Sequence, residues 1–170
     1  MSYLFKAILI LLYSYYVCAC IMPVKEYVVF PESLGFFDAY INCKQNKLEP
    51  AEVHTEEEEI QLESALERAG AKAGWQNAYW IFGIKLKNKP FFYWMDSGVR
   101  VTYDKYWPGE PTNYNGTEDC LDIFKNDNGN FGWNDVPCNL HFKYICQKPM
   151  PPICQTCNYG SEVLPELYRK

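Results

Sequence analysis

Residues 107–120 read WPGEPTNYNGTEDC, a turn-rich stretch in which acidic side chains lie among Gly, Pro and Asn residues. A second stretch, WNDVPC, occupies residues 133–138. Together they supply five side chains with oxygen donors, namely Glu110, Thr112, Glu118, Asn134 and Asp135. Calcium takes about six to eight oxygen ligands, whereas zinc prefers nitrogen and sulfur. The residues therefore indicate one calcium site, and the alternative is a solvated loop whose acids face water.

The N-terminus and the cysteines indicate a secreted, disulfide-containing chain. Residues 7–17 are apolar, shorter than the roughly 20 residues of a membrane span, and followed by a small-residue cleavage site. Residues 1–19 are predicted to be a signal peptide, with an uncleaved anchor as the alternative. Beyond residue 20 the cysteines are Cys43, Cys120, Cys138, Cys146, Cys154 and Cys157. This even number favours a disulfide framework in an oxidising compartment.

Charge and motif content argue against several classes of protein. The net charge is −5 and no Lys/Arg run interrupts it, so nucleic acid and anionic membranes are poor partners. The chain has two histidines, His54 and His141, and neither has a matching nucleophile nearby in the sequence. No GxSxG, P-loop or HExxH motif occurs. We expect no enzymatic activity.

Residue periodicity predicts two helices near the start of the domain. Residues 25–30 have strand character up to Pro31, and apolar residues at helical spacing follow over 33–46. Thr55 opens a capping box that starts a second helix. The acidic run 56–59 is interpreted as the N-terminus of that helix, where the macrodipole favours negative charge, and not as a metal site.

Short strands are predicted after residue 79. The segments are YWIFGIKL, FFYW, VRVTY and KYICQ, and turn signals separate them. The region from about 104 to 135 shows little obvious regular structure. Helices followed by antiparallel strands indicate an α+β fold, and a long irregular connection in a small domain is usually functional.

Residues 148–170 are interpreted as a C-terminal tail that is rich in proline at its start and contains CQTC. Cys154 and Cys157 can close on each other, link two chains into a dimer or pair with Cys20. Redox catalysis is disfavoured because this CxxC lies in a proline-flanked tail of a secreted chain.

Several motifs resemble the C-type lectin-like domain in both order and spacing. The matching features are Phe36, Ala39 and Cys43 in the first helix, WIFGI at 80–84 against the family's WIGL strand, the path FFYWMDSGVRVTYDKYWPGEP at 91–111, WNDVPC, and the eight-residue step from Cys138 to Cys146. The resemblance covers residues 25–147. It implies two helices and two small antiparallel sheets, stapled by disulfides, with a long calcium-binding loop.

The resemblance also implies functional roles for named residues. Bridges Cys43–Cys146 and Cys120–Cys138 are expected, and the peptide bond before Pro111 is expected to be cis. The implied ligands of one Ca²⁺ ion and of sugar hydroxyls are Glu110, Thr112, Glu118, Asn134 and Asp135, with the backbone carbonyl of Asp119 available. Glu-Pro at the start of this set goes with mannose-type sugars, so the implied partners are glycans or glycoproteins.

This chain departs from the family pattern in two places. Thr112 stands where sugar-binding members carry asparagine, and it offers one hydroxyl in place of a carbonyl and an N–H donor. The family's auxiliary calcium site is expected to be absent, because residues 85–88 are Lys, Leu, Lys and Asn where acids are expected. Asn115 begins a glycosylation sequon within the loop. The rival to a lectin is a protein-interaction module on the same scaffold.

Overall fold

The computed structural model describes residues 24–87 and 89–149, which contain two helices and seven strands. In chain order these are β1 (Tyr27–Gly35), α1 (Phe36–Gln45), β2 (Glu49–Pro50), α2 (Glu56–Arg68), β3 (Tyr79–Lys85), β4 (Phe92–Trp94), β5 (Cys120–Lys125), β6 (Phe131–Val136) and β7 (His141–Gln147). Single 3₁₀ turns occur at Trp75–Asn77 and Tyr114–Gly116. The predicted signal peptide and the CxxC of the tail lie outside the described residues.

The described strands form one connected sheet in the order β1-β7-β3-β5-β6, with β2 added to β7 and β4 added to β3. Neighbouring strands are antiparallel except β3 and β7, which pair in parallel through Tyr79↔Lys143 and Trp80↔Tyr144. The α+β fold is confirmed. The two antiparallel groups predicted as separate sheets are joined by this short parallel pair.

The helices cover opposite faces of the sheet. Leu62, Ala65 and Leu66 of α2 pack in one cluster with Ile81, Trp94 and Trp133. Phe36, Ala39 and Cys43 of α1 pack in a second cluster with Trp80, Phe82 and Tyr144. Successive residues of β3 therefore serve alternate cores, as the two-residue period of a strand requires. Thr55 caps α2 as predicted, its hydroxyl accepting the Glu58 N–H at 3.2 Å.

Two local boundaries differ from the sequence prediction. Strand β1 continues through Pro31 to Gly35, and its pairing with β7 shifts register between Phe30 and Leu34. Proline donates no backbone hydrogen bond, and an irregular segment of an edge strand tolerates that loss. Helix α1 consequently begins at Phe36 and not at residue 33.

The region from 104 to 135 contains more regular structure than predicted, because β5 and most of β6 lie within it. Asp122 in β5 and the Gly, Asn and Asp residues of β6 lower the strand propensity. Six paired positions between these strands override that weak local preference. The segment VRVTY, by contrast, is not a strand and contributes one isolated bridge, Tyr93↔Arg100.

Both disulfides implied by the resemblance are present. Cys43–Cys146 joins α1 to β7, and Cys120–Cys138 joins the start of β5 to the turn after β6. Neither helix in residues 24–87 and 89–149 has the length and hydrophobicity of a membrane span.

Candidate functional site

The candidate calcium site lies where the long loop enters β5, beside the C-terminal half of β6. The two strands pair Cys120 with Val136 and Leu121 with Asp135, which brings the acid of WNDVPC next to the end of the loop. Cys120–Cys138 closes the same end covalently. Sheet pairing and a disulfide therefore bring together two sequence stretches that carry separate oxygen donors.

Thr112 is the meeting point of the three predicted carboxylates. Its backbone N–H donates to Glu110 Oε2 at 2.9 Å and to Asp135 Oδ1 at 2.9 Å. Its hydroxyl donates to Glu118 Oε2 at 3.0 Å. Four of the five residues in the predicted set are therefore connected by hydrogen bonds through a single residue. The peptide bond between Glu110 and Pro111, at the centre of this loop, is cis.

Asn113 is a site residue that the sequence analysis missed. Its N–H donates to Asp135 Oδ2 at 2.8 Å, and its side-chain oxygen accepts the Glu118 N–H at 3.3 Å. The residue has a φ of 47°, in the left-handed region that asparagine tolerates better than most side chains. An asparagine directly after the donor residue is the signal that could have identified it.

Asp135 is fully buried, and its pKa reflects both this burial and the negative charge nearby. Burial raises the pKa of Asp135, and the adjacent Glu110 carboxylate adds to the rise. The N–H groups of Asn113 and Thr112 oppose it. A buried carboxylate beside a like charge is stabilised by a cation, so the electrostatics fit a positively charged ligand.

Two predicted participants lie apart from the hydrogen-bonded set. Asn134 is half-buried on β6 opposite Asp122, and its side chain makes no hydrogen bond within the described residues. The carbonyl of Asp119 accepts the Lys85 N–H at 2.7 Å. In the described part of the chain, no three Asp, Glu, His or Cys side chains are grouped closely enough to hold a metal ion.

The donor chemistry nevertheless fits calcium better than zinc or copper. Every side chain that converges on Thr112 presents oxygen, and neither histidine nor thiolate takes part. Each carboxylate also has lone pairs beyond those that accept the loop N–H groups.

Asp122 is a second residue that the sequence analysis missed. It is fully buried in β5, and neither carboxylate oxygen has a hydrogen-bond partner among the described residues. Burial raises its pKa well above the usual value, and the charges of Asp135, Glu110 and Glu118 add to the rise. The Trp75 indole N–H opposes the rise. The sequence feature that could have identified Asp122 is an acidic residue between Leu121 and Ile123, in a strand that is otherwise largely apolar.

Glu59 links helix α2 to the strand that carries the site. The sequence analysis assigned this acid to the helix N-terminus, but it is 1% exposed and accepts the Trp133 indole N–H at 3.2 Å. Burial raises the pKa of Glu59 to about 8, and Glu63 adds to the rise while Lys105 opposes it. Trp133 immediately precedes Asn134 and Asp135, so this contact supports the base of the site.

We expect Glu59→Gln to raise the free energy of unfolding at about pH 7.5, by up to about 4 kcal/mol. The pKa in the folded state is raised from 4.5 to about 8, so ionisation opposes folding as the pH rises through this interval. Glutamine keeps an acceptor for Trp133 and carries no charge. Urea unfolding at several pH values should show a smaller pH dependence in the variant.

Glu56→Gln is the matched control, because Glu56 lies in the same helical turn and is exposed. It should change the free energy of unfolding by less than about 0.5 kcal/mol. Destabilisation by Glu59→Gln at about pH 7.5 would show instead that the Glu59 carboxylate is ionised and favourable for folding.

Comparison with known proteins agrees with this architecture. A family model described as "Lectin C-type domain" matches residues 32–148. "Salivary C-type lectin 1" of Aedes albopictus is 28% identical over 134 residues, covering 77% of this chain and 85% of the relative. "C-type lectin 37Da" of Drosophila melanogaster is 29% identical over 132 residues, covering 74% and 69%.

A solved structure of the C-type lectin CEL-I from Cucumaria echinata shares the fold. It matches with a TM-score of 0.63 at 23% identity, covering 76% of this chain and 93% of that one. The family model accounts for well over half of the chain, and it includes both halves of the candidate site and both disulfides. The chain belongs to the C-type lectin domain family.

Proposed function

We propose that this chain is a secreted, calcium-dependent carbohydrate-binding protein with a mannose-type preference. The observation that supports this most is the convergence of Glu110, Glu118 and Asp135 on Thr112. Carboxylates from two separate stretches of the sequence are connected through Thr112 beside a cis Glu-Pro bond, at a partly open surface. Because the chain belongs to a lectin family, we favour a site that binds carbohydrate through the ion over a site in which the ion is only structural.

Five residues are proposed to hold calcium, namely Glu110, Thr112, Glu118, Asn134 and Asp135. A bound Ca²⁺ ion would supply a positive centre to which two neighbouring sugar hydroxyls can bind in place of water. The side chains of Glu110 and Glu118 would accept hydrogen bonds from the same hydroxyls. Tyr114, which is 69% exposed at the tip of the loop, is placed to contact the apolar face of a sugar ring.

Several further properties belong to the same proposal. Residues 1–19 act as a signal peptide, residues 25–147 form the lectin domain and residues 148–170 form a tail. Asn115, exposed in the loop, carries a glycan after secretion. Cys154 or Cys157 links two chains into a dimer, and the protein has no catalytic activity. There is one calcium site.

Thermal unfolding tests the proposal directly. The mature protein is heated in about 5 mM calcium or in excess EDTA, each with and without mannose, since extracellular calcium sites have dissociation constants of about 10⁻⁴ to 10⁻³ M. We expect calcium to raise the melting temperature and mannose to raise it further, because a ligand that binds the folded state stabilises it. Mannose should have no effect in EDTA.

Two variants separate a specific site from a general charge effect. Glu110→Gln should reduce the calcium-dependent rise and remove the mannose effect. Asp127→Asn removes an exposed acid in the turn between β5 and β6 and should leave both effects unchanged. An unchanged response of Glu110→Gln would contradict the proposed site.

A protein partner is the second candidate function, and Thr112 favours it. The threonine hydroxyl is already donated to Glu118, so it has less capacity for a sugar than an asparagine amide. A calcium-dependent rise in melting temperature that no monosaccharide increases would favour this second function.

A further inference from the structure

An open cleft of about 420 Å³ lies beside Pro111, the residue between two proposed calcium ligands. Small-molecule sites in proteins usually have volumes of roughly 300–1,000 Å³. The cleft is lined by the β3–β4 hairpin and the segment that follows it, including Lys85, Phe91, Arg100 and Tyr106. None of these four residues belongs to the proposed calcium site.

The cleft lies in a locally cationic part of an acidic protein. Residues 85–100 contain four cations and one carboxylate, although the whole chain has a net charge of −5. That carboxylate, Asp96, is paired with Lys44 at 2.6 Å. Within residues 24–87 and 89–149, neither Lys85 nor Arg100 forms an ion pair. Their positive charge is therefore available to a ligand.

Aromatic rings hold the two cations in position. The guanidinium carbon of Arg100 lies 3.3 Å from the ring centroid of Phe91, a stacked arrangement that leaves the N–H edge free. The Lys85 amine lies 5.8 Å from the ring centroid of Phe92. An arginine fixed in this way can donate two parallel hydrogen bonds to a carboxylate, sulfate or phosphate group.

The cleft is also tied to the end of the candidate calcium loop. The Lys85 N–H donates to the Asp119 carbonyl at 2.7 Å, and Asp119 follows Glu118 directly. Pro111, which lies between Glu110 and Thr112 in the sequence, contributes to the wall of the cleft. A saccharide bound at the calcium site can therefore extend into the cleft with its next sugar unit.

We propose that this cleft binds the anionic group, sulfate or carboxylate, of an acidic saccharide. Lys85 and Arg100 hold the anion, and the exposed ring edges contact the sugar. Asp104 lines the same cleft and repels anions, so its charge limits the affinity. The position next to the calcium site rests on the proposed function, but binding of the anionic group itself requires no calcium.

Isothermal titration with two acidic tetrasaccharides tests this inference. A heparin tetrasaccharide carries sulfate and carboxylate groups, whereas a hyaluronan tetrasaccharide carries carboxylates alone. Each is titrated into the mature protein in calcium and in EDTA. We expect at least one to bind in both conditions. Binding of both identifies a carboxylate as sufficient, and binding of heparin alone identifies sulfate.

Charge-matched variants locate the binding. Arg100→Gln and Lys85→Gln should each weaken the affinity about threefold to fivefold, as expected for partly exposed ion pairs. Lys72→Gln removes an exposed positive charge that does not line the cleft, and it should change the affinity less than twofold. Asp104→Asn should strengthen binding by removing the repulsion.

Equal weakening by Lys72→Gln and Arg100→Gln would overturn the inference in favour of nonspecific attraction. Failure of both tetrasaccharides to bind would also overturn it. Loss of the mannose response in calcium, with acidic tetrasaccharide binding retained and sensitive to Arg100→Gln, would contradict the proposed lectin function and leave this inference standing.

Discussion

Thr112→Asn should raise the affinity for mannose about tenfold or more, because a hydrogen bond to a charged or metal-bound group contributes about 1–3 kcal/mol. The asparagine amide can present its carbonyl to the proposed cation and an N–H to a sugar hydroxyl. Threonine has a single hydroxyl, which donates to Glu118 at 3.0 Å. The backbone N–H of residue 112, which binds Glu110 and Asp135, is unaffected by the substitution.

Competition binding to a mannosylated surface in calcium measures this effect. Thr112→Ser keeps the hydroxyl and should match the parent protein within about threefold. Thr112→Val keeps the shape, removes the hydroxyl and should weaken binding. If Thr112→Asn and Thr112→Val have equal affinity, residue 112 does not contact the sugar, and the protein-interaction function becomes the better explanation.

Removing the Cys43–Cys146 bridge should lower the free energy of unfolding by about 5 kcal/mol, the largest effect on stability that we expect. The bridge spans a sequence separation of 103 residues, and long loops lose more unfolded-state entropy when they are closed. Both sulfur-bearing residues are fully buried between α1 and β7. The double alanine variant of this pair tests the effect by urea unfolding.

The Cys120–Cys138 bridge is the matched comparison within the same chain. It closes a separation of 18 residues, for which the same relation gives about 3 kcal/mol. It also joins the two halves of the candidate site. Its double alanine variant should therefore lose calcium affinity as well as stability, whereas the Cys43–Cys146 variant, while folded, should keep that affinity. Equal calcium affinity in both variants would contradict a role for Cys120–Cys138 in holding the site.

The fold could be predicted well where an element depends on residues that are close together in the sequence. The capping box at Thr55 places the start of α2 because its hydrogen bond lies within one helical turn. Strand β3 was predicted from a run of apolar and aromatic residues. Strands β5 and β6 were missed because Asp122, Gly132 and Asn134 interrupt such runs, and these strands depend on pairing with each other.

The candidate site shows the same division. Its oxygen donors could be chosen from the sequence, because their chemistry and spacing resemble a known family. Asn113 and Asp122 have only weak signals in the sequence and Glu59 has none, since the importance of all three depends on burial and on through-space partners. Glu59 is one of four consecutive glutamates in the sequence, yet it alone in that run is buried against Trp133.

The sequence by itself indicated the two helices and strand β3, supplied a candidate set of oxygen donors and carried the resemblance to a lectin family. These properties depend on residue type and on spacing along the chain. The tertiary structure decided which acids converge on Thr112, which acid is buried under Trp133, and where Lys85 and Arg100 form a cationic cleft. Those properties depend on through-space distance and on exclusion of water, which only the packed chain defines.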